Sequence, residues 1–229
     1  LAAYALVDIP ESETLLFDPD FSLLAASAAA MEHKRLVSSE TFSCIYGWVP
    51  NPATPPGLKA EKIDDLRCVA DAQFAWGVNR VVWHGKPYET LDNPNEFYAT
   101  VHVGPNSALQ PYLLPFNAYL ATLSEFLSKG EAESRLSILL PLEDQWMQDE
   151  LPQQKQKPSS RFYWELQELK IPDELLVYRP LWFSPLWLKD LVFAQGLLRY
   201  KHRTIDALLC QNEWLTFDSL KHLLELKNL

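Results

Sequence analysis

Two acidic segments carry the chemistry that this sequence offers most plainly. One is Asp8-Ile9-Pro10-Glu11-Ser12-Glu13, the other Ser38-Ser39-Glu40-Thr41-Phe42. Hydrolysis of a glycosidic bond needs two carboxyl groups flanking that bond, one donating a proton and the other activating water or attacking carbon. Carboxylates that follow separate parallel strands converge on one pocket. Acidic residues after strands also serve as helix caps or solvated loop positions, and Glu11 or Glu13 taken singly fits that description. Glu40 fits it less well, since it follows an apolar run and precedes Phe42. His84, in Val81-Val82-Trp83-His84-Gly85-Lys86-Pro87-Tyr88, could orient a carboxylate or bind a sugar hydroxyl, or simply hold nearby backbone. Trp48, Trp76, Trp83 and Tyr88 offer ring faces for stacking on a sugar. Trp48 and Tyr88 lie in predicted loops after strands and are the better candidates, whereas Trp76 ends a helix and is expected to pack in the core.

Composition excludes other chemistries. The chain has 229 residues, of which 48% are hydrophobic and 22% charged, ordinary values for a globular protein. Its formal net charge of -10 gives no basic face for a nucleic-acid backbone. No apolar run reaches the ~18 residues of a membrane span. Cys44, Cys68 and Cys210 are too few and too scattered for a disulfide framework or a zinc knot, and read as buried thiols. His33, His102, His202 and His222 show no metal-ligand spacing, so no metal site is expected. There is no GxSxG, GxxxxGK[ST] or GxGxxG, which leaves serine hydrolases and nucleotide enzymes without local support. The counts of 8 Trp and 17 Pro against 7 Gly suit long ordered loops with a stacking surface.

The elements that must position these residues alternate. Ala5-Leu6-Val7 reads as a strand stopped at Pro10, residues 21–34 as a helix, and Leu36-Val37 as a second strand ending at Ser38-Ser39-Glu40. After a Pro-rich loop, residues 59–76 have apolar residues at helical spacing and are closed by Gly77. Residues 78–83 form a third strand ending at His84. Strand and helix in turn predict parallel crossovers. Three such units are present where a closed barrel needs eight, so the expectation is a fragment whose upstream strands lie elsewhere. The pattern then restarts: a helix over 116–129, a strand over 134–140, a solvated stretch at 148–160, a short helix over 161–169, an aromatic segment at 177–183, a helix over 190–196, a strand over 205–210 and a terminal amphipathic helix over 217–227. The fold class expected is α/β: the last three units of a (β/α)8 barrel (residues 1–112), followed by the start of a doubly wound, Rossmann-like sheet (residues 113–229).

Several of these segments, in order, resemble glycoside hydrolase family 106, the α-L-rhamnosidase-type enzymes. The segment from Asp8 to Glu13 is similar to that family's DIPE-x-E stretch. Residues 25–34 followed by Val37-Ser38-Ser39-Glu40-Thr41-Phe42, then Leu58-Lys59, Asp71-x-x-Phe74-x-x-Gly77-Val78-Asn79-Arg80 and His84-Gly85-x-Pro87-Tyr88, are similar to its following runs. Phe116-Asn117-x-Tyr119-Leu120 through Gly130 and Ile138-Leu139-Leu140-Pro141 resemble the opening of its amidotransferase-like sheet domain. The resemblance covers residues 4–145 well and the rest loosely. It implies an inverting glycosidase with Glu11 as general acid and Glu40 as general base, Glu13 being the rival for the acid. It further implies that His84 and Asn79 line the sugar site. It implies no cofactor, and any calcium site would belong to the missing upstream strands. The partners implied are a carbohydrate substrate and those N-terminal barrel strands, with no nucleic acid and no membrane span. The family leans to the periplasm or cell exterior. The chain departs from the family at Ala30 or Met31, at His33 and at Ser39, which bears on the substrate rather than on the carboxylates.

Three other readings stay open at this point: a carbohydrate-binding or degenerate relative, a retaining β-galactosidase-like enzyme, and an interaction module without chemistry.

Overall fold

A computed structural model describes residues 1–15, 20–43, 62–85, 103, 107–147, 169 and 171–227. In chain order the first unit contains α1 (Ala2–Leu6), β1 (Glu11–Leu15), α2 (Asp20–Met31), β2 (Ser38–Ser43), α3 (Ile63–Ala75) and β3 (Arg80–Trp83). The three strands form one parallel sheet in the order β1-β2-β3. This is the predicted strand–helix alternation, with no closed barrel among the described residues.

Two strand positions differ from the expectation. Ala5 and Leu6 belong to α1 and Val7 is the extended residue just past it, not a strand, because Ala2-Ala3-Tyr4-Ala5-Leu6 favours a helix. The strand begins only after Pro10, so Glu11 and Glu13 lie on β1 rather than beyond it. Likewise Ser38, Ser39 and Glu40 are inside β2. The signal was weak because β1 is polar on both faces. Ser12 and Thr14 are buried while Glu11 is exposed and Glu13 half-buried, so the period is two with Leu15, at the strand's end, its one apolar residue. The buried hydroxyls are matched: Ser12 Oγ donates to Ser22 Oγ of α2 at 3.3 Å, and Thr14 Oγ1 lies 3.2 Å from Ser39 Oγ.

Helix α3 ends as Gly77 predicts. The Gly77 N–H donates to Phe74 O and the Val78 N–H to Gln73 O, both at 3.1 Å, the paired bonds of a Schellman cap. Gly77 has φ +97, and a Cβ there would stand 3.0 Å from Ala26 Cβ. Gly77→Ala should therefore cost about 1–3 kcal/mol, read as a lowered midpoint in thermal unfolding.

The second unit contains α4 (Gln110–Leu127), β4 (Leu136–Leu139), α5 (Leu142–Met147), a 3-10 helix (Asp173–Tyr178), β5 (Leu181–Phe183), a second 3-10 helix (Pro185–Asp190), β6 (Leu191–Ala194), β7 (Leu197–Tyr200), β8 (Arg203–Ile205), β9 (Ala207–Leu209) and α6 (Phe217–Lys227). β4 lies between β5 and β9 in a parallel sheet. β6, β7 and β8 form a separate antiparallel meander. The helix expected over 190–196 is instead β6 and its turn. Gln195 and Gly196 both have positive φ, the geometry of a two-residue hairpin turn, which joins two apolar runs. The strand expected over 205–210 is split between β8 and β9. The expected loop at 148–160 lies outside the described residues, and so does the helix at 161–169 except for Leu169.

Helix α2 sits between the two units. Ala25, Ala26 and Ala29 pack with Val37 and Val78 of the first. Leu23, Ala28 and Met31 enter the core of the second with Ile138, Leu139, Phe183, Trp187 and Tyr200. Small residues let two layers approach one helix from both sides, and Ser27 Oγ accepts the N–H of Trp182 in β5 at 2.9 Å. No described helix is long and apolar enough to cross a membrane. Cys68 and Cys210 are exposed, not buried as expected; Cys68 lies on the outer side of α3 and Cys210 just past the end of β9. Cys44 lies outside the described residues.

Candidate active site

The register of the first sheet decides where the carboxylates stand. Glu11 is level with Ser38, Ser12 with Ser39 and Glu13 with Glu40. Side chains alternate along a strand, so Glu11, Glu13, Glu40 and Val82 share one face. Ser12, Thr14, Ser39 and Thr41 share the other, where Ser12 meets α2 and Thr41 Oγ1 donates to Gln73 of α3. The acidic face is thus the one turned away from those helices. Glu13 and Glu40 are half-buried and abreast on adjacent strands. Like charges in that arrangement oppose folding, and sheet packing gives no reason for them. Glu11 is exposed, and its Oε2 accepts from Ser38 Oγ at 2.5 Å.

Immediately after Glu40 the strand is irregular. From Glu13 to Leu15 is two steps on β1, but the matching stretch of β2, from Glu40 to Ser43, is three. The extra residue is a bulge, and Phe42 within it has φ +72, a conformation that costs a non-glycine residue about 1–3 kcal/mol. The bulge turns Phe42 into a fully buried position against Leu66, Phe74 and Phe116, with Trp83 at 4.6 Å between ring centroids. It also returns Ser43 to the carboxylate side, level with Leu15. There Ser43 Oγ lies 2.7 Å from Nδ1 of the His84 ring, and the His84 backbone N–H donates to Thr41 O at 3.0 Å. Glu11, Glu13, Glu40, Ser43 and His84 are therefore gathered on one sheet face. Ser43 was not among the sequence candidates, since the bulge that aims it has no sequence signature.

Asn79 is not brought to this group. It lies at the opposite end of β3, where Oδ1 accepts the Val37 N–H at 2.9 Å and Nδ2 donates to Arg35 O at 2.8 Å. Trp76 is half-buried under the Arg179 guanidinium, 5.6 Å from its ring centroid, in line with the packing role expected for it. Trp83 packs on Phe42 and Phe116 and donates its indole N–H to Asn117. Trp48 and Tyr88 lie outside the described residues. A cleft of about 1020 Å³, lined by Arg35, Asn79, Arg179 and Arg203, is not the carboxylate face. Its arginines are occupied with backbone carbonyls of Ser128, Ala75, Ala132 and Ser134.

Backbone register places the two candidate carboxylate pairs differently. Neighbouring strands are ~4.8 Å apart and residues rise ~3.3 Å along each. Glu13 and Glu40, abreast, are separated by about one strand spacing. Glu11 and Glu40, two residues out of step, stand on a diagonal of ~8 Å. Retaining glycosidases hold their carboxyl groups ~5–5.5 Å apart, and inverting ones ~6.5–9.5 Å to admit a water.

No family model matches this chain, and no curated protein matches its sequence. A solved structure of a rhamnosidase from Novosphingobium sp. PP1Y shares the fold. The match covers 98% of this chain with a TM-score of 0.64 at 15% sequence identity. The chain spans about a fifth of that rhamnosidase, 20% of its length.

Proposed function

We propose that this chain is the carboxylate-bearing part of a glycosidase that cleaves terminal α-L-rhamnosides with inversion, as in glycoside hydrolase family 106. The observation that carries the reading is the acidic cluster that the strand register gathers on one face of a parallel sheet, beside a strained bulge that brings Ser43 to the same face. The structural likeness to a rhamnosidase supports the same class, and the ordered resemblance of six sequence segments supports the family. In this reading Glu40 is the general base on water and Glu11 the general acid, the diagonal leaving room for the water. His84, oriented by Ser43, holds a sugar hydroxyl. The remaining barrel strands are supplied by the same polypeptide and close the site over the sugar. The two-carboxylate chemistry needs no cofactor from this chain, and any calcium site would lie on the upstream strands.

A second reading is favoured by one specific observation, the level register of Glu13 with Glu40. Side chains level on adjacent strands suit the closer carboxyl approach of a retaining enzyme, with one residue as nucleophile and the other as acid and base. The stereochemistry of the product separates the two. The intact polypeptide, given an aryl α-L-rhamnoside and followed by proton NMR, should release β-rhamnose first. Release of the α-anomer first would assign the chemistry to Glu13 and Glu40. Hydrolysis of no glycoside in a broad panel would leave a binding or degenerate relative.

A further inference from the structure

Away from the carboxylates, three potential metal ligands meet on the surface. His33 lies in the turn after α2, Glu131 in the loop after α4, and His202 in the turn between β7 and β8. One ligand-capable atom of each lies within 4.8 Å of the others. His33 Nδ1 is 3.1 Å from Glu131 Oε1, and the two imidazole rings meet edge to face with centroids 4.7 Å apart.

We propose that His33, Glu131 and His202 form a zinc site that fastens these three segments together. Two imidazoles and a carboxylate are a donor set suited to Zn²⁺, with water as fourth ligand. Zinc–nitrogen bonds of ~2.0–2.1 Å in a tetrahedron put neighbouring donor atoms ~3.3 Å apart. The His33–Glu131 pair already has that separation, and the remaining closure is a side-chain rotation for exposed residues. Two details point the same way. His202 Nε2 lies 3.1 Å from Ala30 O. A carbonyl only accepts, so neutral His202 carries its proton on Nε2 and presents a lone pair at Nδ1. A backbone carbonyl on the far ring nitrogen is how proteins orient a ligating histidine. His33 in turn adopts φ +55, an uncommon conformation for a residue with a side chain, and one that fixes its direction of departure from α2.

The neighbouring cations do not block the site. Lys201 is paired with Glu32 at 2.5 Å. Arg203 lies within electrostatic reach of Glu131 and Glu133, while its N–H groups donate to the Ala132 and Ser134 carbonyls. The site does not depend on the rhamnosidase reading, since it uses none of Glu11, Glu13, Glu40 or His84.

The test is Zn²⁺ titration of the chelator-stripped intact polypeptide by calorimetry, with Co²⁺ absorption reporting the ligand geometry. The variants are His33→Asn, which tolerates the positive φ, Glu131→Gln and His202→Ala, with His222→Ala as control. The wild type should take up one equivalent with the cobalt spectrum of a four-coordinate site. Each of the three ligand variants should bind ~10-fold or more weakly, while His222→Ala binds as wild type. At 100-fold excess of zinc over the wild-type dissociation constant the melting temperature should rise by about 5–10 °C in the wild type and in His222→Ala, and by about half of that or less in the three ligand variants. Absence of binding, or binding that His33→Asn or His202→Ala leaves unchanged, would overturn the proposal.

Discussion

Glu40→Gln in the intact polypeptide is expected to lower turnover of an aryl α-L-rhamnoside by about 10²–10⁴-fold. The substitution keeps the shape of a half-buried side chain in the middle of β2, so the sheet is retained and the loss is chemical. It also removes a like charge beside Glu13, so the variant should be no less stable than the wild type. A water-activating base is needed whatever the leaving group. The proton donor is not, because a phenolate departs with little help. Glu11→Gln should accordingly be mild on an activated aryl rhamnoside and severe on an alkyl rhamnoside, whereas Glu40→Gln is severe on both. If Glu13→Gln takes over the leaving-group dependence, the acid is Glu13 and the product should retain configuration. Full activity in Glu40→Gln would remove the two-carboxylate mechanism altogether.

The largest effect on stability is expected at Phe183. Its side chain is fully buried, with edge-to-face contacts to Trp187 at 5.6 Å and Tyr200 at 5.2 Å between centroids. Trp187 and Tyr200 stack on each other at 5.6 Å, so the three rings close on themselves. Tyr200 is held further by its hydroxyl on Glu32 Oε1 at 3.2 Å, and burial together with that carboxylate pushes the phenol well above its usual range. Phe183→Ala removes one side of this cluster where backbone bonds limit collapse, Phe183 O accepting from Leu140 N–H at 2.8 Å. The expected cost is about 3–5 kcal/mol. Denaturant unfolding, with the exposed β6 residue Val192→Ala as control at about 0.5 kcal/mol or less, measures it. A loss below ~1 kcal/mol would mean that the ring cluster repacks freely.

How much of this was legible in the sequence follows from the kind of signal each residue carries. α3 announced itself by apolar spacing and its glycine stop, and α6 by Leu220, Leu223 and Leu224. α2 was readable as a helix, but not as one buried on both sides, because alanines do not say which neighbour they meet. β1 was misplaced because its inward residues are Ser12 and Thr14, which satisfy their hydroxyls rather than display hydrophobicity. Residues 190–196 read as a helix in sequence because a short apolar run fits either period, and the paired positive φ values at Gln195 and Gly196 decide for a hairpin. At the candidate site the residue types were legible while their geometry was not. Register put Glu13 level with Glu40, and the bulge recruited Ser43. Neither is encoded in local spacing, and the same is true of His33, Glu131 and His202, which only the fold brings together.

The position of α2 bears on how such a protein can be inherited. In sequence the helix belongs with the acidic strands, but its Leu23, Ala28 and Met31 are part of the aromatic core of the sheet that follows. A boundary drawn along the chain is then not a boundary through the interior. Shuffling either half onto a new partner would leave an alanine-rich helix with one bare side and a β5 strand without the Ser27 hydroxyl that its backbone uses. The two halves are therefore expected to be inherited together as one unit rather than exchanged separately.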